Sequence, residues 1–247
     1  MIKLFVTDLD GCISYPFRTP NWDVLTKIRE LNVLSRVDSL IPPLTICTGR
    51  PYPYAEAIAQ LLDVRNPFVF ESAGLFIWDD LRIKTALNNE TEQLEPILKI
   101  RKWIISEILP DFPTASVEFT KKMDAGVVAT EKEIIDQIHP LIAEKVKSEF
   151  PELEIHITDV SVNVLISGNN KFQGMQLIAE QLGLELNEIA YIGDTGGDIP
   201  ALEAVGMPFC PSNATRGVKN VSKNLSVETT EAVLAAYEEV IAYNRAL

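Results

Sequence analysis

The sequence predicts an α/β protein with a doubly wound parallel sheet and a smaller α+β unit inserted into it. Short runs of apolar, β-branched residues recur along the chain and alternate with segments of helical spacing. Such runs are typical of strands that are buried on both faces of a parallel sheet. In the middle of the chain, alternating strand patterns lie between two long helical segments, and this block predicts the insertion.

The first part of the chain has the order β-α-β-α-β. The predicted strands are residues 2–7, 44–47 and 68–70, and the helices between them are residues 22–34 and 54–62. Strands that alternate with helices in this way form an open sheet that is covered by helices on both faces.

The middle of the chain has the order α-β-β-α-β-β. Its predicted elements are a helix at 91–109, strands at 115–119 and 126–129, a helix at 131–150, and strands at 153–158 and 162–166. The α/β pattern then resumes, with a strand at 189–192 and helices at 173–182, 199–205, 218–222 and 230–245. We therefore expect a core domain of residues 1–81 and 169–247 and an inserted domain of residues 82–168.

The net charge and the cysteine content of the chain indicate which binding partners and which cellular compartment to expect. The chain has 35 acidic and 22 basic residues, a net charge of −13, which disfavours binding to nucleic acid or to an anionic membrane surface. The three cysteines are far apart and form no recognisable disulfide framework, so we expect a reducing, cytoplasmic location. The chain has no apolar run of about 18 residues, the length that a membrane-spanning helix needs.

Charged and polar residues follow the predicted strands, and ligands of open α/β sheets bind beyond the carboxyl ends of the strands. Taken alone, an Asp-x-Asp-Gly after a strand is more typical of a turn, so the set matters more than one motif. These residues are Asp8, Asp10, Thr48, Gly49, Arg50, Asp194 and Asp198, with Lys171 just before a helix.

The charges of this set predict a divalent cation. Four carboxylates contribute −4, and Lys171 and Arg50 contribute +2, which leaves an excess of two negative charges. Oxygen ligands without a nearby histidine or cysteine favour Mg²⁺. A cation and a fixed lysine together suit the transfer of a phosphoryl group.

The ordered motifs resemble those of the haloacid dehalogenase-like superfamily, with its Rossmann-like core. The resemblance is carried by Asp8-Leu9-Asp10-Gly11, a strand that ends in Thr48, Lys171, and Gly193-Asp194-Thr195-Gly196-Gly197-Asp198. It implies a phosphatase in which Asp8 is the nucleophile that becomes an aspartyl-phosphate and Asp10 is the acid and base. It also implies that Thr48 and Lys171 hold the phosphoryl oxygens.

The resemblance implies a Mg²⁺ site and a substrate site as well. Asp8, Asp194 and the backbone carbonyl of Asp10 would bind the metal, and Asp198 would bind a metal-bound water or support the other ligands. We expect Gly49, Arg50 and Asn213 to belong to the substrate site. The Arg50 guanidinium is expected to contact either substrate or a carboxylate, with a structural loop cation as the alternative.

The position of the insertion resembles that of subclass IIB, whose cap lies between the threonine and lysine motifs. Thr48 and Lys171 are 123 positions apart, which leaves room for the predicted α-β-β-α-β-β unit. Members of this type are Cof-like, sucrose-phosphatase-like and archaeal phosphoglycolate-phosphatase-like. The implied substrate is a small phosphorylated metabolite, such as a sugar phosphate or a phosphoglycolate-like acid. We expect a monomer or a homodimer.

Two other functions fit the same residues. A phosphomutase of the phosphomannomutase type resembles the same core and cap, but it needs arginines to hold a second phosphate, and residues 82–166 contain only Arg82 and Arg101. A non-catalytic scaffold or a receiver-like phospho-acceptor would also have an acidic cluster with Thr and Lys. A receiver needs about half this length and no cap.

Overall fold

The computed structural model describes residues 1–85, 87 and 90–247. The strands in chain order are β1 (Leu4–Thr7), β2 (Leu44–Ile46), β3 (Phe68–Phe70), β4 (Gly74–Ile77), β5 (Arg82–Thr85), β6 (Ser116–Val117), β7 (Val127–Val128), β8 (Leu153–Ile157), β9 (Ser161–Ile166), β10 (Ile189–Ile192), β11 (Met207–Cys210) and β12 (Lys223–Asn224). The α-helices are α1 (Trp22–Leu34), α2 (Tyr52–Leu61), α3 (Glu90–Trp103), α4 (Lys132–Glu149), α5 (Lys171–Leu182), α6 (Ile199–Leu202), α7 (Arg216–Val221) and α8 (Thr229–Arg245).

The central sheet is parallel, as predicted, and its strand order is β12-β11-β10-β1-β2. β1 lies between β10 and β2, with Thr7 opposite both Ile192 and Ile46. The carboxyl ends of these three strands therefore lie side by side. The strands β1, β2 and β10 are completely buried, which explains why their sequences are mostly apolar and β-branched.

A second sheet continues from the β2 edge. It has the order β3-β4-β5 and is antiparallel, and a single parallel bridge between Cys47 and Val69 joins it to the end of β2. The sequence pattern predicts β3 but neither β4 nor β5. The turn between β3 and β4 places Glu71 and Ser72 at positive φ, a conformation that non-glycine residues adopt infrequently.

The carboxy-terminal helix fastens the amino terminus of the sheet. The rings of Phe5 in β1 and Tyr237 in α8 are stacked, with their centroids 4.6 Å apart. The Tyr237 hydroxyl donates to the carbonyl of Pro42 at 2.6 Å, and the Asn244 side chain pairs with both backbone polar groups of Ile2 at 2.8 Å. These contacts satisfy buried polar groups and fix α8 against β1.

The chain divides into two compact units, Met1–Ala86 with Asn170–Leu247, and Leu87–Asn169. The first unit contains both sheets described above. The second unit contains an antiparallel sheet of order β6-β7-β9-β8 together with α3 and α4. Its element order is the predicted α-β-β-α-β-β.

The core of the second unit is formed by aliphatic residues on α3, α4 and its sheet. Ile97 and Ile100 of α3, Ile138 and Ile142 of α4, and Val164 of β9 are completely buried. The helical spacing of these isoleucines explains why the two helices turn one face to the sheet. No helix among the described parts of the chain combines the length and the apolar character that crossing a membrane requires.

Candidate active site

The strand register brings the first and last acidic motifs together. Asp8 follows β1 directly, and Gly193 and Asp194 follow β10. The backbone N–H of Asp8 donates to the carbonyl of Ile192 at 3.0 Å, which continues the parallel pairing by one residue. The Asp8 side chain is buried, so its carboxylate depends on protein partners rather than on solvent.

Lys171 is the buried cation of the site. It is the first residue of α5, whose amino terminus is capped by the Asn170 side chain. Its Nζ lies 2.7 Å from Oδ2 of Asp8 and 2.5 Å from Oδ1 of Asp198. Burial alone would lower the pKa of Lys171, but the charges of Asp198 and Asp8 outweigh it and raise the pKa well above its ordinary value. Lys171 is therefore positively charged.

Asp198 organises the loop after β10. Its Oδ1 accepts hydrogen bonds from Lys171 and from the Tyr191 hydroxyl, both at 2.5 Å. Its Oδ2 accepts from the backbone N–H of Asp194 at 3.1 Å, and from the N–H and hydroxyl of Thr195 at 2.9 and 3.2 Å. Burial would raise the pKa of Asp198, but Lys171 and these hydrogen bonds hold it below its ordinary value.

Asp8 and Asp194 differ from Asp198 because their charges are incompletely compensated. Burial raises the pKa of Asp8 to about 7, against the opposing charge of Lys171 and with further contributions from Asp198 and Asp10. Burial, followed by the charges of Asp198 and Asp8, raises the pKa of Asp194 to about 8. The site therefore has more negative charge than Lys171 neutralises.

The residues present fit a hard divalent cation. Asp8, Asp194 and Asp198 each offer a carboxylate oxygen, and these oxygens lie within 4.8 Å of one another. Oδ1 of Asp194 is buried and has no hydrogen-bond partner in the described part of the chain. An all-oxygen donor set with excess negative charge is the type that binds Mg²⁺. Since both Asp198 oxygens already accept hydrogen bonds, Asp8 and Asp194 are the better direct ligands of the three.

Two loops hold Asp194 and the Asp8-x-Asp10 segment in place. Gly11 has φ +73°, and a Cβ at this position would collide with the Asp194 carboxylate. The Asn213 side chain donates to the carbonyl of Gly11 at 2.9 Å and accepts from the N–H of Thr229 at 3.2 Å. In these contacts Asn213 ties the Gly11 loop to the start of α8.

Asp10 is paired with Arg50. Nε of Arg50 lies 2.5 Å from Oδ2 of Asp10, and Nη2 lies 2.9 Å from Oδ1. Of the two contacts expected for the Arg50 guanidinium, the structure contains the one with a carboxylate. Among the described residues, the carboxylates that lie close enough together to share a metal ion are those of Asp8, Asp194 and Asp198. The Asp10 side chain is not among them.

Thr48 and Gly49 follow β2, next to the end of β1. Thr48 is buried; its N–H donates to Val69 at 3.1 Å, and its hydroxyl accepts from the N–H of Arg50 at 3.2 Å. A Cβ at Gly49 would lie 3.6 Å from Oγ of Ser72. Both residues are therefore at the predicted edge of the sheet.

Sequence reasoning missed Tyr191 and Thr195. Tyr191 lies in the middle of a completely buried strand, and its hydroxyl needs a partner there. This need for a partner could have pointed to Asp198, because the nearest polar motif along the chain contains that residue. Thr195 and Asp198 form a reciprocal capping box at the start of the short 3₁₀-helix Gly196–Asp198, a pattern that the sequence also carries.

Lys121 and Lys122 lie in a predicted hairpin loop, and this pattern favours a solvated turn over a loop that faces the ligand cleft, but in the structure Lys121 belongs to a buried charged cluster of the second unit. Lys121 is 5% exposed, and its Nζ lies 2.8 Å from Glu118, 2.7 Å from Asp124 and 2.9 Å from Asn163. Arg101 donates to the carbonyls of Lys121 and Asp124 at 2.7 Å. The simple expectation was wrong for Lys121, because neighbouring carboxylates compensate its buried charge.

Comparison with known proteins assigns the family. A family model described as haloacid dehalogenase-like hydrolase matches residues 107–237, more than half of the chain. The chain therefore belongs to the haloacid dehalogenase-like hydrolases. This hydrolase is 25% identical over 225 residues to a phosphoglycolate phosphatase of Methanopyrus kandleri, covering 90% of this chain and 89% of that protein. It is 27% identical to the phosphoglycolate phosphatase of Methanothrix thermoacetophila, covering 100% of this chain and 98% of that protein.

Solved structures share the fold of the hydrolase. A Thermoplasma acidophilum protein has a TM-score of 0.77 at 19% identity and covers 97% of this chain and 98% of its own. The sucrose-phosphatase of Synechocystis has a TM-score of 0.69 at 15% identity, with 97% and 98% covered. The predicted resemblance to subclass IIB, the α/β fold and the class of enzyme, a phosphatase, are confirmed.

Proposed function

We propose that the hydrolase cleaves small phosphate monoesters through an aspartyl-phosphate on Asp8, with Mg²⁺ as its metal. The observation that carries the proposal is the ion pair between Asp8 and Lys171 at the carboxyl end of β1. In such a pair the lysine binds one oxygen of the buried carboxylate, and the other oxygen is available to attack phosphorus. Asp10 lies two residues away, close enough in sequence to act on the same bond.

Phosphoryl transfer to Asp8 is the first half of the reaction. An Asp8 oxygen attacks phosphorus, the bond from phosphorus to the ester oxygen breaks, and Asp10 gives its proton to that oxygen. Lys171 compensates negative charge on Asp8 and on the phosphoryl oxygens, and Thr48 lies at the same edge to donate to them.

Hydrolysis of the aspartyl-phosphate completes the cycle. Asp10, now a carboxylate, takes a proton from water, and the water oxygen attacks phosphorus. The bond from phosphorus to Asp8 breaks and phosphate leaves, so that both carboxyl groups return to their starting states. The net reaction is ester and water to alcohol and phosphate.

Mg²⁺ would be held by Asp8 and Asp194, with the backbone carbonyl of Asp10 as a further ligand and Asp198 supporting the loop. When bound, it supplies charge compensation and orientation for the phosphoryl group. The uncompensated charge of Asp8 and Asp194 and the unpaired Oδ1 of Asp194 support this assignment.

The substrate class is a small phosphorylated metabolite, with phosphorylated short acids first. Support comes from relatives named phosphoglycolate phosphatase that match nearly the whole chain. The unit Met1–Ala86 with Asn170–Leu247 carries the chemistry, and the unit Leu87–Asn169 is the cap that selects the alcohol. Gly49 is proposed to approach the substrate, and Asn213 to hold the Gly11 loop.

The test is hydrolysis of a panel of phosphate esters by the full chain with Mg²⁺ and with EDTA. The panel contains 2-phosphoglycolate, sugar phosphates and an aryl phosphate. We expect Mg²⁺-dependent phosphate release that Asp8→Asn abolishes, while Asp79→Asn, at an exposed turn, leaves it unchanged. Turnover retained by Asp8→Asn, or no release from any ester by the wild type, would overturn the proposal.

A further inference from the structure

The Arg50 guanidinium donates hydrogen bonds to both oxygens of the Asp10 side chain. The Nε–Oδ2 and Nη2–Oδ1 distances are 2.5 and 2.9 Å, so the two groups form a bidentate pair. A bidentate guanidinium fixes the plane of a carboxylate as well as its position. Asp10 lies in the loop after β1, and its side chain is 34% exposed, so burial alone does not fix its orientation.

Arg50 is itself held independently of Asp10. Its guanidinium carbon lies 5.1 Å from the ring centroid of Tyr54 and 5.5 Å from that of Phe17. Its backbone N–H donates to the Thr48 hydroxyl. Aromatic rings within about 6 Å of a cation attract it, so the arginine is fixed from its backbone to its guanidinium.

We propose that Arg50 is a positioning residue that orients the Asp10 carboxyl toward the ester oxygen. This inference rests on the proposed function, because it needs Asp10 to deliver a proton to the leaving alcohol. In that step Asp10 starts as the carboxylic acid, protonated by the water consumed in the previous cycle. One Asp10 oxygen carries the proton that moves to the ester oxygen as the phosphorus–oxygen bond breaks and the Asp8–phosphorus bond forms, and the other oxygen keeps its hydrogen bond from Arg50. Arg50 takes no part in the bond changes; it acts through Asp10.

A competing role for Arg50 is direct contact with the phosphoryl group. The two roles predict different dependence on the leaving group. Proton donation matters most when the leaving alcohol is strongly basic, and little when it is an activated phenol. Phosphoryl contact is the same for every ester, so its loss would lower all rates by a common factor.

The experiment compares kcat/KM for an activated aryl phosphate and an alkyl phosphate in wild type, Arg50→Ala and Arg50→Lys. For the alkyl ester we expect Arg50→Ala to lose about 10- to 100-fold, and for the aryl ester at most about 3-fold. Arg50→Lys keeps the charge but lacks the fork, so it should rescue only part of the loss. Retained aryl activity also shows that the variants are folded.

Asp10→Asn and the double variant Asp10→Asn, Arg50→Ala complete the test. If Arg50 acts through Asp10, the double variant is no slower on the alkyl ester than Asp10→Asn. Arg18→Gln is the matched control, since Arg18 lies over the neighbouring Tyr15 ring on the same loop as Phe17, and it should change neither substrate's kcat/KM.

Equal losses on both esters, or additive losses in the double variant, would overturn the positioning role. A failure of the proposed function has a different signature, because wild type would then release phosphate from neither ester, or Asp8→Asn would retain the activity.

Discussion

The backbone of Gly11, which has φ +73°, packs directly against the carboxylate of Asp194. A Cβ added to Gly11 would collide with that carboxylate. The two residues belong to the first and the last acidic motif of the chain. The contact therefore ties the position of a proposed metal ligand to the conformation of the loop after β1.

Gly11→Ala should destabilise the protein and displace Asp194. We expect a loss of about 2–4 kcal/mol in the free energy of unfolding, since a collision that costs about 1–3 kcal/mol adds to the cost of positive φ, about 1 kcal/mol. Gly183→Ala is the matched control: Gly183 has φ +65° and open space around its Cβ position, so about 1 kcal/mol is expected from strain alone. Urea unfolding measures both. Equal losses in the two variants would contradict the contact.

Mg²⁺ should stabilise the hydrolase through Asp194. A ligand at 100 times its Kd adds about 2.7 kcal/mol, or roughly 5 °C in Tm for a chain of this size. Asp194→Asn should abolish this rise, whereas Asp79→Asn, at an exposed turn, should retain it. A thermal melt with Mg²⁺ and with EDTA makes the measurement. A full Mg²⁺-dependent rise in Asp194→Asn would contradict the assigned ligand.

Asp63 should make the free energy of unfolding vary with pH in the acidic range. The hydrogen bond from Arg36, whose Nη2 lies 2.7 Å from Oδ2, holds the pKa of Asp63 below its ordinary value, with Arg65 and Arg29 assisting. A lowered folded-state pKa stabilises the fold above the unfolded value, and this stabilisation is lost as pH falls through the folded value. Asp63→Asn suits the positive φ at this position and should cost about 0.5–1 kcal/mol at pH 7.

The measurement is urea unfolding of wild type and Asp63→Asn across the acidic range. The difference in the free energy of unfolding between wild type and Asp63→Asn should be constant from neutral pH to about pH 5 and should become smaller below about pH 4. A difference that widens as the pH falls would contradict the sign of this account.

Lys121 should be a major determinant of stability in the second unit. Lys121→Met removes the cation between the buried Asp124 and the largely buried Glu118. We expect the free energy of unfolding to fall by about 3–5 kcal/mol, because the buried carboxylate of Asp124 loses the positive charge that compensates it. Lys132→Met is the matched control, since Lys132 forms an exposed pair with Asp136, and little change is expected there. Urea unfolding of the full chain compares them; equal effects would exclude a special role for the buried cluster.

The arrangement of the candidate site was largely predictable from the sequence. Parallel strands present their carboxyl ends at one edge, so residues that follow β1 and β10 had to meet once both strands were recognised. The side-chain geometry was not predictable at that level. Whether the Arg50 guanidinium reaches Asp10 depends on rings from two other segments, Phe17 and Tyr54.

The features that the sequence did not predict have separate physical causes. β4 follows a turn whose φ values are positive at Glu71 and Ser72, and residues without glycine give little sign of such a turn. β11 contains Pro208, and proline is unusual inside a sheet. Lys121 was expected in solvent because a lysine pair in a hairpin is ordinarily exposed, and only the fold brings Glu118, Asp124 and Asn163 around it.

The most direct test of the account is to trap the phosphorylated enzyme. The hydrolase is mixed with Mg²⁺ and an activated aryl phosphate, quenched in acid within the first turnover, digested and analysed by mass spectrometry. We expect one added phosphoryl group on the peptide that contains Asp8, and none in Asp8→Asn. Phosphate release by the wild type without any phosphorylated peptide, together with activity in Asp8→Asn, would contradict it.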